Sequence, residues 1–276
     1  MGRAVGAPLN VSASALLGLG TLMTVACGLD AVGQLAAPTE TAAPRDAGAA
    51  PASPVLDAGE TPVDAAVADV LTEGSALPVE PPLCDPQAVG LLACLAFEGA
   101  ATDGSPSARV ALSATNLTFV AGHEGLAAAF ALSPKSDLRL PYEGMNTPRA
   151  SVEMWVRPAA LPSSDDRAVL LDMNGRFGIS LDSDGKLHCR DAVSTTALAV
   201  GTWVHVACVH DLTTVSAYVG GAFEASASGS LDSTVDFVGV GQDSPDADEG
   251  FVGALDSLRI WGVALDAQAV AAAAAR

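Results

Sequence analysis

Phe177-Gly178-Ile179-Ser180-Leu181-Asp182-Ser183-Asp184-Gly185-Lys186-Leu187-His188-Cys189-Arg190 holds two short apolar runs on either side of a polar tip. Asp-Gly at such a tip supplies the positive φ that a tight turn requires, so the stretch is a β-hairpin. Val219-Gly220-Gly221-Ala222 is a second tip of the same kind. Outward from these hairpins, runs of three to nine residues recur between Gly, Asp, Ser and Pro. They are Val89 to Phe97, Leu126 to Leu132, Leu138 to Leu140, Ser151 to Arg157, Ala168 to Asp172, Phe177 to Leu181, Lys186 to Arg190, Trp203 to Val209, Val215 to Val219, Val235 to Gly241 and Leu255 to Trp261. Short strands at near-regular spacing are the mark of an antiparallel sandwich or barrel. Only Leu265 to Ala275 reads as helix, with Asp266 as its N-cap ahead of an alanine-rich run.

The chain has 276 residues, 32 acidic against 13 basic side chains and a net charge of −19. That balance excludes a nucleic-acid partner, whose affinity rests on a basic face neutralising phosphates. The chain divides into three parts. Residues 1–26 read as a secretion signal: Arg3, a soft apolar stretch from Val11 to Ala26, and small residues at its close. From 27 to 83 the composition is Ala, Pro, Thr, Asp and Glu, and from Gly28 to Leu83 nine acids face Arg45 alone. Such a segment cannot offset its ordering entropy and is expected to be a disordered tether. From 84 to 276 lie all three tryptophans, both tyrosines and all seven phenylalanines, the material of one folded domain.

Thr24-Val25-Ala26-Cys27 resembles the lipobox of bacterial lipoprotein precursors, which implies lipidation of Cys27 and a lipid-anchored place in the cell envelope. The domain's motifs resemble, in order, the laminin-G-like branch of the concanavalin A-like lectin/glucanase superfamily. They are Leu95-Ala96-Phe97-Glu98-Gly99, Leu126-Ala127-Ala128-Ala129-Phe130, Asp137-Leu138-Arg139-Leu140-Pro141, Ser151-Val152-Glu153-Met154-Trp155-Val156-Arg157-Pro158, Gly201-Thr202-Trp203-Val204-His205-Val206-Ala207, Ser216-Ala217-Tyr218-Val219-Gly220-Gly221, and Gly253-Ala254-Leu255-Asp256-Ser257-Leu258-Arg259-Ile260-Trp261. The resemblance implies an all-β, two-sheet antiparallel jelly-roll sandwich with a short C-terminal helix, in agreement with the strand pattern.

Apart from Cys27 there are four cysteines, which in an exported chain form disulfides with three possible connectivities. Strand parity turns Cys189 and Cys208 toward one core, which favours that pair and leaves Cys84 with Cys94. Zinc is the rival, but no histidine stands at ligand spacing near Cys84 and Cys94. Family glucanases carry their catalytic carboxylates at alternate positions of one strand. Glu153 stands alone on its strand, and His123, His188, His205 and His210 have no nucleophile in recognisable context, so a non-catalytic protein is expected. His205 reads as a buried structural residue. The resemblance implies a structural calcium held by Glu98, Asp103 and Asp256, hard oxygen ligands of the kind that ion takes. Asp243, Asp246, Asp248 and Glu249 read as a solvated loop, and Asn116-Leu117-Thr118 as a coincidental glycosylation sequon.

The function expected is recognition of carbohydrate or another extracellular polymer, with Tyr142 in its loop as the exposed aromatic platform. The alternatives are a protein–protein adhesion or envelope-structural module without sugar binding, and a polysaccharide hydrolase built on two converging carboxylates.

Overall fold

The structure is a computed structural model that describes residues 82–174, 176–231, 237–243 and 249–276. The signal segment, Cys27 and the tether up to residue 81 lie outside the described residues, as do Asp246 and Asp248. Fifteen strands and one helix are found among the described residues. In chain order the strands are β1 (Leu91–Leu95), β2 (Ser113–Thr115), β3 (Thr118–Ala121), β4 (Leu126–Phe130), β5 (Asp137–Pro141), β6 (Arg149–Pro158), β7 (Ala168–Asp172), β8 (Gly178–Leu181), β9 (Lys186–Cys189), β10 (Ala192–Ala197), β11 (Val204–Asp211), β12 (Thr214–Val219), β13 (Ala222–Ser228), β14 (Phe237–Val240) and β15 (Gly253–Trp261). They form two antiparallel sheets, so the all-β jelly-roll sandwich stands. The eight-stranded sheet runs β13-β12-β11-β6-β15-β4-β3, with β1 also paired to β15. The seven-stranded sheet runs β10-β9-β8-β7-β14-β5-β2.

Alternation along each strand builds the core. On β6 Val152, Met154 and Val156 face inward, as do Val206 and Cys208 on β11 and Leu138, Leu140, Ile179, Leu187 and Val238 across the other sheet. On β15 strict alternation fails. Leu255 and Leu258 both join the core although they lie three residues apart. A bulge absorbs the extra residue: the register with β6 shifts between Asp256 and Arg259, and Ser257 takes a φ of 53°. Both Asp256 and Arg259 are thereby turned to the outer face of the larger sheet.

That face is partly covered by the helix α1 (Ala267–Ala274). Asp266 caps it as the sequence indicates, accepting from Ala269 N at 2.8 Å. Val270 packs with Ala207, Val209 and Tyr218 in a second, smaller cluster outside the sheet. Ser151, buried on β6, fixes the entry of the helix by donating to Val263 O at 2.8 Å and accepting from Leu265 N at 2.9 Å. The turn between β12 and β13 needs glycine at Gly221, where φ is +80° and a Cβ would stand 2.8 Å from the methyl of Ala274.

Both expected disulfides are formed. Cys84–Cys94 ties the start of the domain to β1, and Cys189–Cys208 joins β9 of one sheet to β11 of the other, with Cα atoms 5.6 and 5.5 Å apart.

Candidate functional site

The outer face of the larger sheet carries a row of polar and aromatic side chains. Because Val152, Met154 and Val156 point inward, Glu153, Trp155 and Arg157 on the same strand point outward. Register then sets their neighbours: Glu153 lies opposite Ala207 of β11 and Arg259 of β15, and Trp155 opposite His205 and Asp256. Glu153 therefore does not stand alone. Its Oε1 accepts from Trp261 Nε1 at 2.9 Å and lies 3.0 Å from Arg259 Nε, and its Oε2 lies 3.4 Å from His205 Nε2. Glu153 and His205 are each 1% exposed, which makes this a buried ionic cluster beneath the face. Burial lowers the pKa of Arg259, opposed by the charge of Glu153 and reinforced by that of Arg276. His205 is buried as expected, but its Nδ1 has no hydrogen-bond partner.

Above the cluster Trp155 is half-buried and forms an aromatic step. His123 stacks on it with ring centroids 3.4 Å apart and planes 9° from parallel. His205 meets it edge-on at 5.6 Å. Around these rings opens a cleft of about 180 Å³, bordered also by Leu83, Glu124, Ser257 and Arg276. His123 belongs to the turn joining β3 and β4, and two acids pin that turn. Asp256 Oδ2 accepts from His123 N at 2.9 Å and Glu124 N at 3.3 Å, and its Oδ1 accepts from Ser257 Oγ at 3.2 Å. Glu98 Oε2 accepts from Leu126 N at 3.1 Å.

These contacts bear on the calcium expectation. Asp103 lies apart from the turn, and its carboxylate accepts from Cys94 N, Ser105 N, Ser105 Oγ and Arg109 N at 2.9 to 3.0 Å, with the Arg109 guanidinium 3.8 Å away. An oxygen pair so occupied, and beside a cation, is a poor ligand for a hard dication that needs six to eight oxygens. Glu98, Asp103 and Asp256 do not fit a shared ion: the first and third serve one turn as backbone acceptors, and the second closes a separate knot. No group of three metal-ligating side chains occurs among the described residues. Glu249 of the acidic loop pairs with Arg167 at 2.9 Å.

Tyr142 is not an exposed platform either. Its ring packs against the core cluster, Arg176 Cζ sits 5.9 Å over it, and its hydroxyl is buried without a partner. Burial accordingly raises its pKa. The aromatic step is Trp155. The signal for it lay in the alternation of Ser151 to Arg157, which puts Trp155 on the same face as Glu153.

Removing the Asp256 carboxylate is expected to loosen the turn that carries His123. Asp256→Ala leaves two N–H groups without their acceptor, at a cost of about 1–3 kcal/mol, and lifts His123 off Trp155 with a change in tryptophan fluorescence. Asp256→Asn keeps an acceptor and gives the pH test. Burial raises the Asp256 pKa above its ordinary 3.8 despite the donors around it, so its contribution to stability is present at low pH and is lost as pH rises through the folded-state value. The stability of Asp256→Asn relative to the parent must therefore increase with pH across the acid range. A flat or falling difference in denaturant titrations would show that the carboxylate is not penalised by burial.

Double-sheet antiparallel jelly rolls of this kind occur in lectin domains. Residues 133–271 match the profile of the concanavalin A-like lectin/glucanases superfamily, and the chain belongs to that superfamily. No curated protein matches the chain. Among solved structures it resembles domain 4 of AbnA, a GH43 extracellular arabinanase from Geobacillus stearothermophilus in complex with arabinotriose, with 20% identity, a TM-score of 0.52 and coverage of 67% of this chain and 98% of that domain. The binding domain of Paraclostridial Mosquitocidal Protein 1 is similar at 17% identity and a TM-score of 0.55, with coverage of 70% and 52%. Trypanosoma rangeli sialidase in complex with the inhibitor DANA follows at 15% identity and 0.55, with coverage of 69% and 33%. The chain thus spans about half and a third of the last two. At these identities the likeness is one of fold, and function has to be argued from the site.

Proposed function

We propose that the protein is a lipid-anchored cell-envelope module that binds carbohydrate without modifying it, through the cleft at Trp155. The observation that carries the reading is the Trp155–His123 stack at the edge of a cleft lined by Glu124, Ser257, Arg259 and Arg276. An aromatic step bordered by hydrogen-bonding groups is the combination that a sugar, apolar on its ring faces and polar at its rim, requires. The resemblance to the arabinanase domain seen with arabinotriose supports carbohydrate as the ligand class. The lipobox-like Thr24-Val25-Ala26-Cys27 supports attachment through Cys27. The role of Glu153 is structural in this reading, since Arg259 and Trp261 hold its Oε1.

The test is a glycan array with the purified protein, followed by calorimetry on the best ligand. Trp155→Ala is expected to weaken binding by at least about tenfold, equivalent to about 1.4 kcal/mol, while Trp155→Phe retains part of it. An array without ligands, or an affinity indifferent to Trp155→Ala in a folded variant, would overturn the assignment. Capture of an envelope protein through the same cleft would favour the adhesion alternative.

A further inference from the structure

The cleft does not end at Trp155. A second recess, of about 270 Å³, is bordered by Trp261, Leu265, Ala269 and Ala272 along the exposed side of α1. Arg259, Ala273 and Arg276 border both openings, so the two recesses adjoin along the helix and are taken together as one groove. Register gives the backbone spacing of its two tryptophans. Trp261 pairs with Ser151, four positions before Trp155 on β6, and four residues of extended strand span about 13 Å. Between the two indoles lie Glu153 and Arg259, so the groove has an aromatic step at each end and a charged floor in the middle. The Arg259 guanidinium sits 5.8 Å from the centroid of the Trp261 ring.

We infer that the groove takes a run of several linked sugar units lying across both tryptophans, rather than a single terminal sugar, with Trp261 as a second stacking site. The inference rests on the carbohydrate reading above and deepens it. The two tryptophans are anchored about 13 Å apart along the strand, farther than one hexose ring spans, whereas a linked chain bridges them and lays its hydroxyls over the polar floor. A ligand confined to one unit would leave the recess at Trp261 without a role in binding. The polymer is engaged within its length, which suits a module displayed toward an extended polysaccharide.

The experiment measures affinity for the best array glycan and its homologues shortened stepwise to one unit. Binding should strengthen with length until the chain spans both tryptophans, by about tenfold over the single unit. Trp261→Ala should remove that gain and leave the affinity of the shortest homologue unchanged. Since Trp261 also donates to Glu153, a second variant keeps the test independent of folding: Ala272→Leu fills the recess from an exposed helix position and should remove the same gain. Affinity that does not change with length, or variants that weaken the single unit as much as the chain, would overturn the groove while leaving binding at Trp155 intact. An array that retains no glycan would overturn both.

Discussion

Arg259→Met is expected to destabilise the domain by about 3–5 kcal/mol, the usual cost of stranding one partner of a buried ion pair. The Arg259 and Glu153 side chains are 8% and 2% exposed, with Nε and Oε1 3.0 Å apart. Without the guanidinium, the Glu153 carboxylate stays buried with Trp261 Nε1 and His205 as its remaining neighbours. Such a loss lowers the melting temperature of a domain this size by roughly 10 °C. Glu153→Leu combined with Arg259→Met should recover most of it, because two apolar side chains need no solvation. Denaturant unfolding of the single and double variants checks both statements. A single variant within about 1 kcal/mol of the parent, or a double variant as unstable as the single, would mean that the pair is effectively solvated. The pair also lies between the two tryptophans. A double variant that folds well yet binds poorly would assign it to shaping the groove floor as well as to stability.

How far this cluster was legible in the sequence follows from what each strand reveals alone. Glu153 has no acidic companion at alternate positions of β6, and its partners come from β11 and β15, more than fifty residues away along the chain. Only the register brings them together. On β15 the register depends on the bulge at Ser257, which no alternation pattern announces, since a bulge consists in breaking it. Trp155 was within reach. The alternation that turned Cys189 and Cys208 inward also turns Trp155 outward with Glu153, whereas Tyr142, exposed by its loop setting in the sequence, packs under Arg176.

The strands show a similar division. The eleven apolar runs each overlap a strand, among them β7 with the bounds expected, Ala168–Asp172. The four strands that no run marks are β2, β3, β10 and β13, which are the ends of the two sheets. Their sequences, SAT, TFVA, AVSTTA and AFEASAS, are short of large apolar residues. An edge strand has a neighbour on one side only and buries less side-chain surface, so hydrophobic patterning fades there. Two of these edges protect each other. Glu224 of β13 accepts from the backbone N–H of Thr195 and Thr196 on β10 at 3.1 Å, occupying donors that would otherwise be open to another strand. Hydrogen bonds from both threonines hold the Glu224 carboxyl below its usual range.

Replacing both Cys189 and Cys208 by alanine is expected to cost about 3 kcal/mol, the loop-closure entropy of a link separated by 19 residues, and to lower the unfolding midpoint without altering the fold. Both cysteines are fully buried, and the bridge crosses the core from β9 in one sheet to β11 in the other. It therefore holds the two layers together at a point that must separate before the domain can unfold. Cys84–Cys94 spans 10 residues at the start of the domain, where the chain can fray without opening the core. Its replacement should cost less, yet it should disturb the cleft more, because Leu83, next to Cys84, borders the opening at Trp155. The two pairs thus predict opposite orders. Unfolding midpoints should fall further for the Cys189/Cys208 double variant, and tryptophan fluorescence or sugar affinity should change further for the Cys84/Cys94 double variant. A larger stability loss from the peripheral pair would mean that unfolding begins at the amino-terminal edge of the sandwich rather than with separation of its sheets.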